Sequence, residues 1–211
     1  MNTNLELFDN PITQSVGENG RISHDFYPTP EGITRSLLEI CPELPRFIFE
    51  PCAGNGAIAD VLQSKEKYVQ DSDIQWVSES DLRPQDATTA HFWDFWNLEL
   101  PVYAKDWATV TNPPFNLAHE ILPLAYKYSP WGCAFLLRLS YLEPAANRAS
   151  WLQGNADNLR YVIPVNPRPQ FRRDSKSTDS ATVAWMVWQK SWSWKALGVN
   201  SPFQFCNNWK K

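Results

Sequence analysis

The chain has 211 residues, 43% of them apolar, and a net charge of -4. That size and composition suit one well-packed globular domain and argue against a disordered chain, and the longest apolar run, Ala181 to Trp188, is far short of a membrane span. Cys41, Cys52, Cys133 and Cys206 lack CxxC pairing and share no ligand spacing with the three histidines, so free thiols and no metal are expected.

The first residues show no basic region followed by an apolar core, so export is not expected and a cytoplasmic location is. Residues 1–22 are polar, contain Gly17 and Gly20 and keep no period, which reads as a flexible arm ahead of a single domain at 23–211. In Tyr27-Pro28-Thr29-Pro30, Thr29 is the expected N-cap and Pro30 the first position of a helix to about Ile40. Ile33, Leu37 and Leu38 give that helix an apolar face.

Phe47-Ile48-Phe49 is a continuous apolar run, as expected of a central strand covered on both faces. It leads into Glu50-Pro51-Cys52-Ala53-Gly54-Asn55-Gly56, and a helix is expected over Ala57 to Leu62. In such a strand, glycine-loop, helix unit, the glycines let the backbone pass close beneath a group bound at the strand's carboxyl end. The loop lacks the lysine of a P-loop and the full GxGxxG spacing, so a nucleoside with a compact cationic tail suits it better than a pyrophosphate. A second strand is expected at Ile74 to Val77, ending near Glu79 and Asp81. An acid there can accept both ribose hydroxyls, with Asp81 favoured over Glu79. Asp94, among the aromatics of 91–96, reads equally as an acceptor for an adenine amino group or as a solvated acid beside core rings.

Trp107 to Val110 is a buried strand that ends on Thr111-Asn112-Pro113-Pro114-Phe115. Asn112 can offer a side-chain carbonyl and Pro113 a backbone carbonyl, while the two prolines remove competing donors and Phe115 adds a flat face. That set suits a planar amino-bearing group such as adenine; the plain alternative is a strand-ending Pro-Pro turn. Beyond it come a helix over Leu117 to Tyr128 with a kink or early break at Pro123, a strand over Trp131 to Leu139 and a short helix over Pro144 to Leu152. Strands over Leu159 to Val165 and Thr182 to Trp188 form an expected hairpin across a polar connection at 166–180.

Charge is unevenly placed. Residues 1–110 hold 7 Lys/Arg against 18 Asp/Glu, a net -11, whereas 111–211 hold 12 against 5, a net +7. Arg160, Arg168, Arg172, Arg173 and Lys176 are the densest basic stretch, suited to phosphates near the Asn-Pro-Pro-Phe turn or to a solvated loop.

With these motifs in order, the chain resembles S-adenosylmethionine-dependent DNA adenine-N6 methyltransferases, particularly the small solitary enzymes of phages and prophages, with the motif order of the gamma class. The resemblance implies a doubly wound, mostly parallel α/β Rossmann-like sheet of class I with a C-terminal antiparallel hairpin. It implies that Tyr27, Pro28 and Thr29 line the methionine part of S-adenosyl-L-methionine, and that Glu50, Pro51, Cys52, Ala53, Gly54 and Gly56 form the cofactor loop. Asp81 matches the ribose-binding acid, Asp94 the adenine-contacting acid, and Asn112, Pro113, Pro114 and Phe115 the catalytic motif, with Asn112 also beside the cofactor.

Asn166 to Phe171 resembles the late motif whose aromatic packs on the extruded base, so Phe115, Phe171, Arg168, Arg172, Arg173 and Lys176 are implied to meet a flipped adenine in duplex DNA. A short target-recognition element near 166–180 replaces a large one. No metal or membrane is implied, and a homodimer is compatible with the sequence. The rival readings are methylation of adenine in RNA, methylation of a protein glutamine, and a non-catalytic DNA-binding subunit of the same fold. Cys52 follows Pro51 after the first strand, the wrong place for the nucleophile of cytosine-C5 enzymes.

Overall fold

The computed structural model describes residues 28–74, 86–91, 93, 106–169 and 182–204. Six strands form one sheet in the order β2-β1-β3-β4-β6-β5: β1 Phe47–Glu50, β2 Tyr68–Asp71, β3 Trp107–Thr111, β4 Gly132–Arg138, β5 Leu159–Pro164 and β6 Val183–Gln189. β2, β1, β3 and β4 run parallel, and β6 lies antiparallel between β4 and β5. The fold is therefore mixed α/β, mostly parallel, with the expected C-terminal hairpin.

The continuous apolar runs are explained by cover on both faces. Along β4, Cys133, Phe135 and Leu137 join one core with Phe49, Trp107 and Trp188, while Ala134 and Leu136 join another with Ile48, Val110 and Trp185. Helix α1 (Glu31–Ile40) brings Ile33 and Leu37 to the second core, and α2 (Ala57–Gln63) adds Ile58 and Leu62. Helix α3 (Ala118–Tyr128) covers the first core with Ile121, Leu122 and Ala125. Each such fully buried Leu or Ile contributes about 1.5–3 kcal/mol. Trp185 Nε1 also donates to the Ile33 carbonyl at 2.8 Å, tying α1 to β6. Gly132, at φ 126°, sits where an added Cβ would lie 2.0 Å from the Trp188 carbonyl oxygen.

Four expectations are corrected. Thr29 does not cap α1: the cap position is Pro30, no side chain caps it, and the Thr29 hydroxyl is engaged by Asn112. The strand after α2 is Tyr68–Asp71; Ile74 lies in a bend, and 75–77 fall outside the described residues. Tyr68 is 56% exposed, so this strand carries no apolar alternation that marks it in the sequence. Pro123 does not end α3 before Tyr128, because the buried face on either side of it outweighs one missing backbone hydrogen bond. The helix expected over Pro144 to Leu152 is instead a 3-10 turn at Leu139–Leu142 followed by α4, Ala149–Gly154. Arg148 Nε donates to the Tyr141 and Glu143 carbonyls at 2.8 and 2.9 Å, satisfying that loop without a helix.

The expected arm at 1–22 lies outside the described residues. Among the described residues, no helix is long and apolar enough to cross a membrane.

Candidate active site

The carboxyl ends of the parallel strands gather the chemistry. β1 and β3 are neighbours with Phe49 opposite Thr109, so Glu50 and Asn112 lie at the same edge of the sheet on strands about 4.8 Å apart. Asn112 Nδ2 donates to Thr29 Oγ1 at 3.1 Å. That contact ties the amide nitrogen to the segment before α1. Thr29 and Pro113 are buried, whereas Asn112, Pro114 and Phe115 are half-buried. Leu117 N donates to the Pro114 carbonyl at 3.0 Å and closes the turn, and neither proline brings an N–H into it.

The glycine loop is latched to the end of β2. Ser72 N donates to the Glu50 carbonyl at 2.9 Å and Ala53 N to the Ser72 carbonyl at 3.0 Å. Gly54 N donates to Asp73 Oδ2 at 2.9 Å. Gly56 has φ 78° and opens α2, a backbone conformation that its lack of Cβ permits. Pro51, Ala53 and Gly54 are buried, and Cys52 is half-buried.

Glu50 is 1% exposed, and its Oε2 is a buried atom with no hydrogen-bond partner among the described residues. Desolvation, then the nearby Asp71 carboxylate, raises its pKa well above the usual carboxylate range, against a backbone hydrogen bond from Ala59. Glu50, Asp71 and Asp73 thus gather three carboxyl groups at the ends of β1 and β2, a setting in which an incoming cation or amine would favour ionisation of Glu50. Sequence reading missed Asp71 and Asp73; the run Asp71-Ser72-Asp73 was a signal, obscured because the strand was expected several residues later. Burial, then the Asp73 carboxylate, pushes the Cys52 thiol up, away from the thiolate a nucleophile needs. Cys41, Cys52 and Cys133 are free thiols.

On the far side of Asn112, Arg138 at the end of β4 sets its guanidinium over the Phe115 ring, 5.0 Å from the centroid. A cavity of about 250 Å³ opens beside them, reaching Asn116, Ser140, Tyr141 and Arg148. None of these cavity residues except Phe115 was singled out from the sequence, although Arg138 ends the strand next to the Asn-Pro-Pro-Phe strand, where ligands of doubly wound sheets sit.

Arg160, counted in the basic stretch, is not available to a phosphate. It is paired with Glu43 at 2.6 Å, donates to Gln189 Oε1 at 2.6 Å, and lies over Trp192. Arg168 is exposed beyond β5. Tyr27, Glu79, Asp81, Asp94, Phe171, Arg172, Arg173 and Lys176 lie outside the described residues. Trp93, next to Asp94, is a core ring set edge-on to Phe49 at 5.3 Å.

No protein-family model matches the sequence, and no curated protein does. The fold is similar to that of solved methyltransferases. One is the 23S rRNA methyltransferase ErmE, at 16% identity and TM-score 0.54, over 80% of this chain and 71% of that one. Another is a modification subunit of a putative type I restriction enzyme from Vibrio vulnificus, at 15% identity and TM-score 0.54; the match covers 85% of this chain but 46% of that one. A putative RNA methyltransferase from Pyrococcus horikoshii matches at 12% identity and TM-score 0.51, over 86% of this chain and 89% of that one. These likenesses define the class of fold, a Rossmann-like methyltransferase sheet.

Proposed function

We propose that the chain is an S-adenosylmethionine-dependent DNA adenine-N6 methyltransferase built as a single class I domain, with a short target-recognition element near 166–180. The observation that carries this reading is the hydrogen bond that Asn112 Nδ2 donates to Thr29 Oγ1. It holds the Asn112 side chain through its amide nitrogen at the carboxyl end of β3, where Oδ1 is the acceptor type that an amino group requires. The solved methyltransferases of similar fold support the reaction class, and the modification subunit among them supports DNA.

The residues present fit S-adenosyl-L-methionine. The unpartnered Glu50 Oε2 suits its ammonium, the carboxylates of Asp71 and Asp73 suit a cation and hydroxyl groups, and the glycine loop leaves room for close approach. The cofactor would supply a methyl group on a sulfonium, already a good leaving group. What this chain must add is nucleophilicity at the acceptor, because the lone pair of adenine's exocyclic nitrogen is delocalised into the ring. Asn112 Oδ1 and the Pro113 carbonyl accept its two hydrogens and localise that lone pair as the new bond forms. Phe115 stacks on the base and offsets part of the few kcal/mol, by general estimate, that extrusion from a duplex costs. The half-buried Cys52 takes no part, since its thiol is held protonated.

Methylation of adenine in RNA is the second reading, favoured by the RNA methyltransferases among the structures of similar fold. The test is transfer of labelled methyl from S-adenosylmethionine to unmethylated duplex DNA, single-stranded DNA and RNA, with nucleoside analysis of the product. N6-methyladenine in duplex DNA is the expected result. Label confined to RNA would replace the substrate, and label in none of the three would overturn the proposal.

A further inference from the structure

The cavity beside Phe115 is lined by two arginines, and no carboxylate lines it among the described residues. The two guanidiniums differ in what they do. Arg148 is committed to structure: its Nε serves the Tyr141 and Glu143 carbonyls, and its Nη2 donates to the Ser140 carbonyl at 3.1 Å. It also lies over the Tyr141 ring at 5.1 Å. The Arg138 guanidinium forms no hydrogen bond or ion pair among the described residues and lies over the Phe115 ring. A guanidinium held over an aromatic ring spends none of its five N–H donors on a hydrogen bond there. The side chain is thereby held in place by stacking while its hydrogen-bonding capacity is unspent.

We propose that Arg138 is a substrate-binding residue that takes a phosphodiester oxygen pair of a nucleic-acid strand in this cavity. The stacking ring of the catalytic turn and the phosphate contact then form one unit. Three features converge on an anion with paired acceptor oxygens: the positive lining, the uncommitted donors of Arg138, and Arg148 fixing the loop that walls the cavity. A guanidinium matches that geometry bidentately, whereas a protein glutamine offers no anion to it. Because Phe115 and Arg138 touch, phosphate capture at Arg138 places the attached nucleotide next to the ring that would receive its base. The inference rests on the proposed function and sharpens it: the substrate class is a nucleic acid, and the contact is independent of base sequence.

The test compares wild type with Arg138→Gln and Arg138→Lys, using an adenine-containing DNA duplex and a single-stranded RNA of the same sequence. Binding is measured over a salt series without turnover, and cofactor binding is measured separately by calorimetry. Arg138→Gln should bind the preferred strand about tenfold more weakly or worse. Its plot of log K against log salt should be shallower by about 0.9 on duplex DNA, or about 0.7 on a single strand, the loss of one phosphate contact. Cofactor affinity should be unchanged. Arg138→Lys should keep the wild-type salt slope, because it keeps the charge, while losing part of the affinity with the fork.

An Arg138→Gln protein with the wild-type slope, or a loss of cofactor binding alongside DNA binding, would overturn the proposal. The wild-type transfer assay separates the two levels. A wild type that methylates nucleic acid while Arg138→Gln keeps its slope refutes the phosphate contact alone. A wild type that binds neither DNA nor RNA refutes the nucleic-acid reading together with it.

Discussion

Replacing Glu50 with Gln removes a charge and keeps the shape, and two opposite consequences follow. Glu50 is 1% exposed, and its pKa is raised above the ordinary value of 4.5, first by desolvation and then by Asp71. A carboxyl whose folded pKa lies above its unfolded pKa contributes its full share of stability below the unfolded value and loses it as pH rises through the folded one. Gln does not ionise, so the empty Glu50→Gln protein should melt above wild type at alkaline pH, with the gap closing as pH falls toward 4.5.

Cofactor binding should move the other way. The wild-type carboxylate can meet an ammonium, and a hydrogen bond to a charged group is worth about 1.5–3 kcal/mol, so the variant should bind S-adenosylmethionine about 10- to 150-fold more weakly. Wild type should also release a proton on binding, because the raised carboxyl must ionise to meet the cation. Titration calorimetry in two buffers of different ionisation heat reads that proton, and melting curves across pH read the stability. Equal affinity in the two proteins, or no proton release by wild type, would refute the assignment of Glu50 to the cofactor's amino group.

Asn112→Ala should lower methyl transfer by about 10²–10³-fold, the cost of losing one acceptor aimed at the reacting group, with cofactor binding largely retained in calorimetry. Thr29→Val should lower kcat through the lost hold on the Asn112 amide and Thr29→Ser should restore it; a loss that Ser does not rescue would make Thr29 a packing residue. Cys52→Ser should keep turnover, checked in the same transfer assay, because the Cys52 thiol is held protonated in the folded chain. Gly132→Ala should destabilise by about 3 kcal/mol or more in denaturant unfolding, since a Cβ there meets the Trp188 carbonyl at 2.0 Å and the backbone has φ 126°.

Much of the central sheet was legible because its strands are buried on both faces. Phe47 to Phe49, Trp107 to Val110, Trp131 to Leu139 and Thr182 to Trp188 are largely apolar runs, and all are placed within one residue of the strands observed. The edge strand β2 was not, because half-exposed Tyr-Val-Gln-Asp has no period to read and takes its strand form from pairing with β1. Pro123 misled for a related reason. Its local cost was visible in the sequence, whereas the packing of Ile121, Leu122 and Ala125 that overcomes it was not.

The order of the motifs is legible along the chain: an Asn-Pro-Pro-Phe turn ending a buried strand, a glycine loop ending another, and a basic second half after an acidic first half. Those are properties of neighbours along the chain, where composition and spacing suffice. What each polar atom is used for emerges in the folded chain, because its partners lie far away in sequence. Thr29 reads as a helix cap until Asn112, 83 residues on, takes its hydroxyl. Arg160 reads as a phosphate ligand until Glu43 and Gln189 engage it, and Arg138, unremarkable in sequence, stands over Phe115 with its donors unspent.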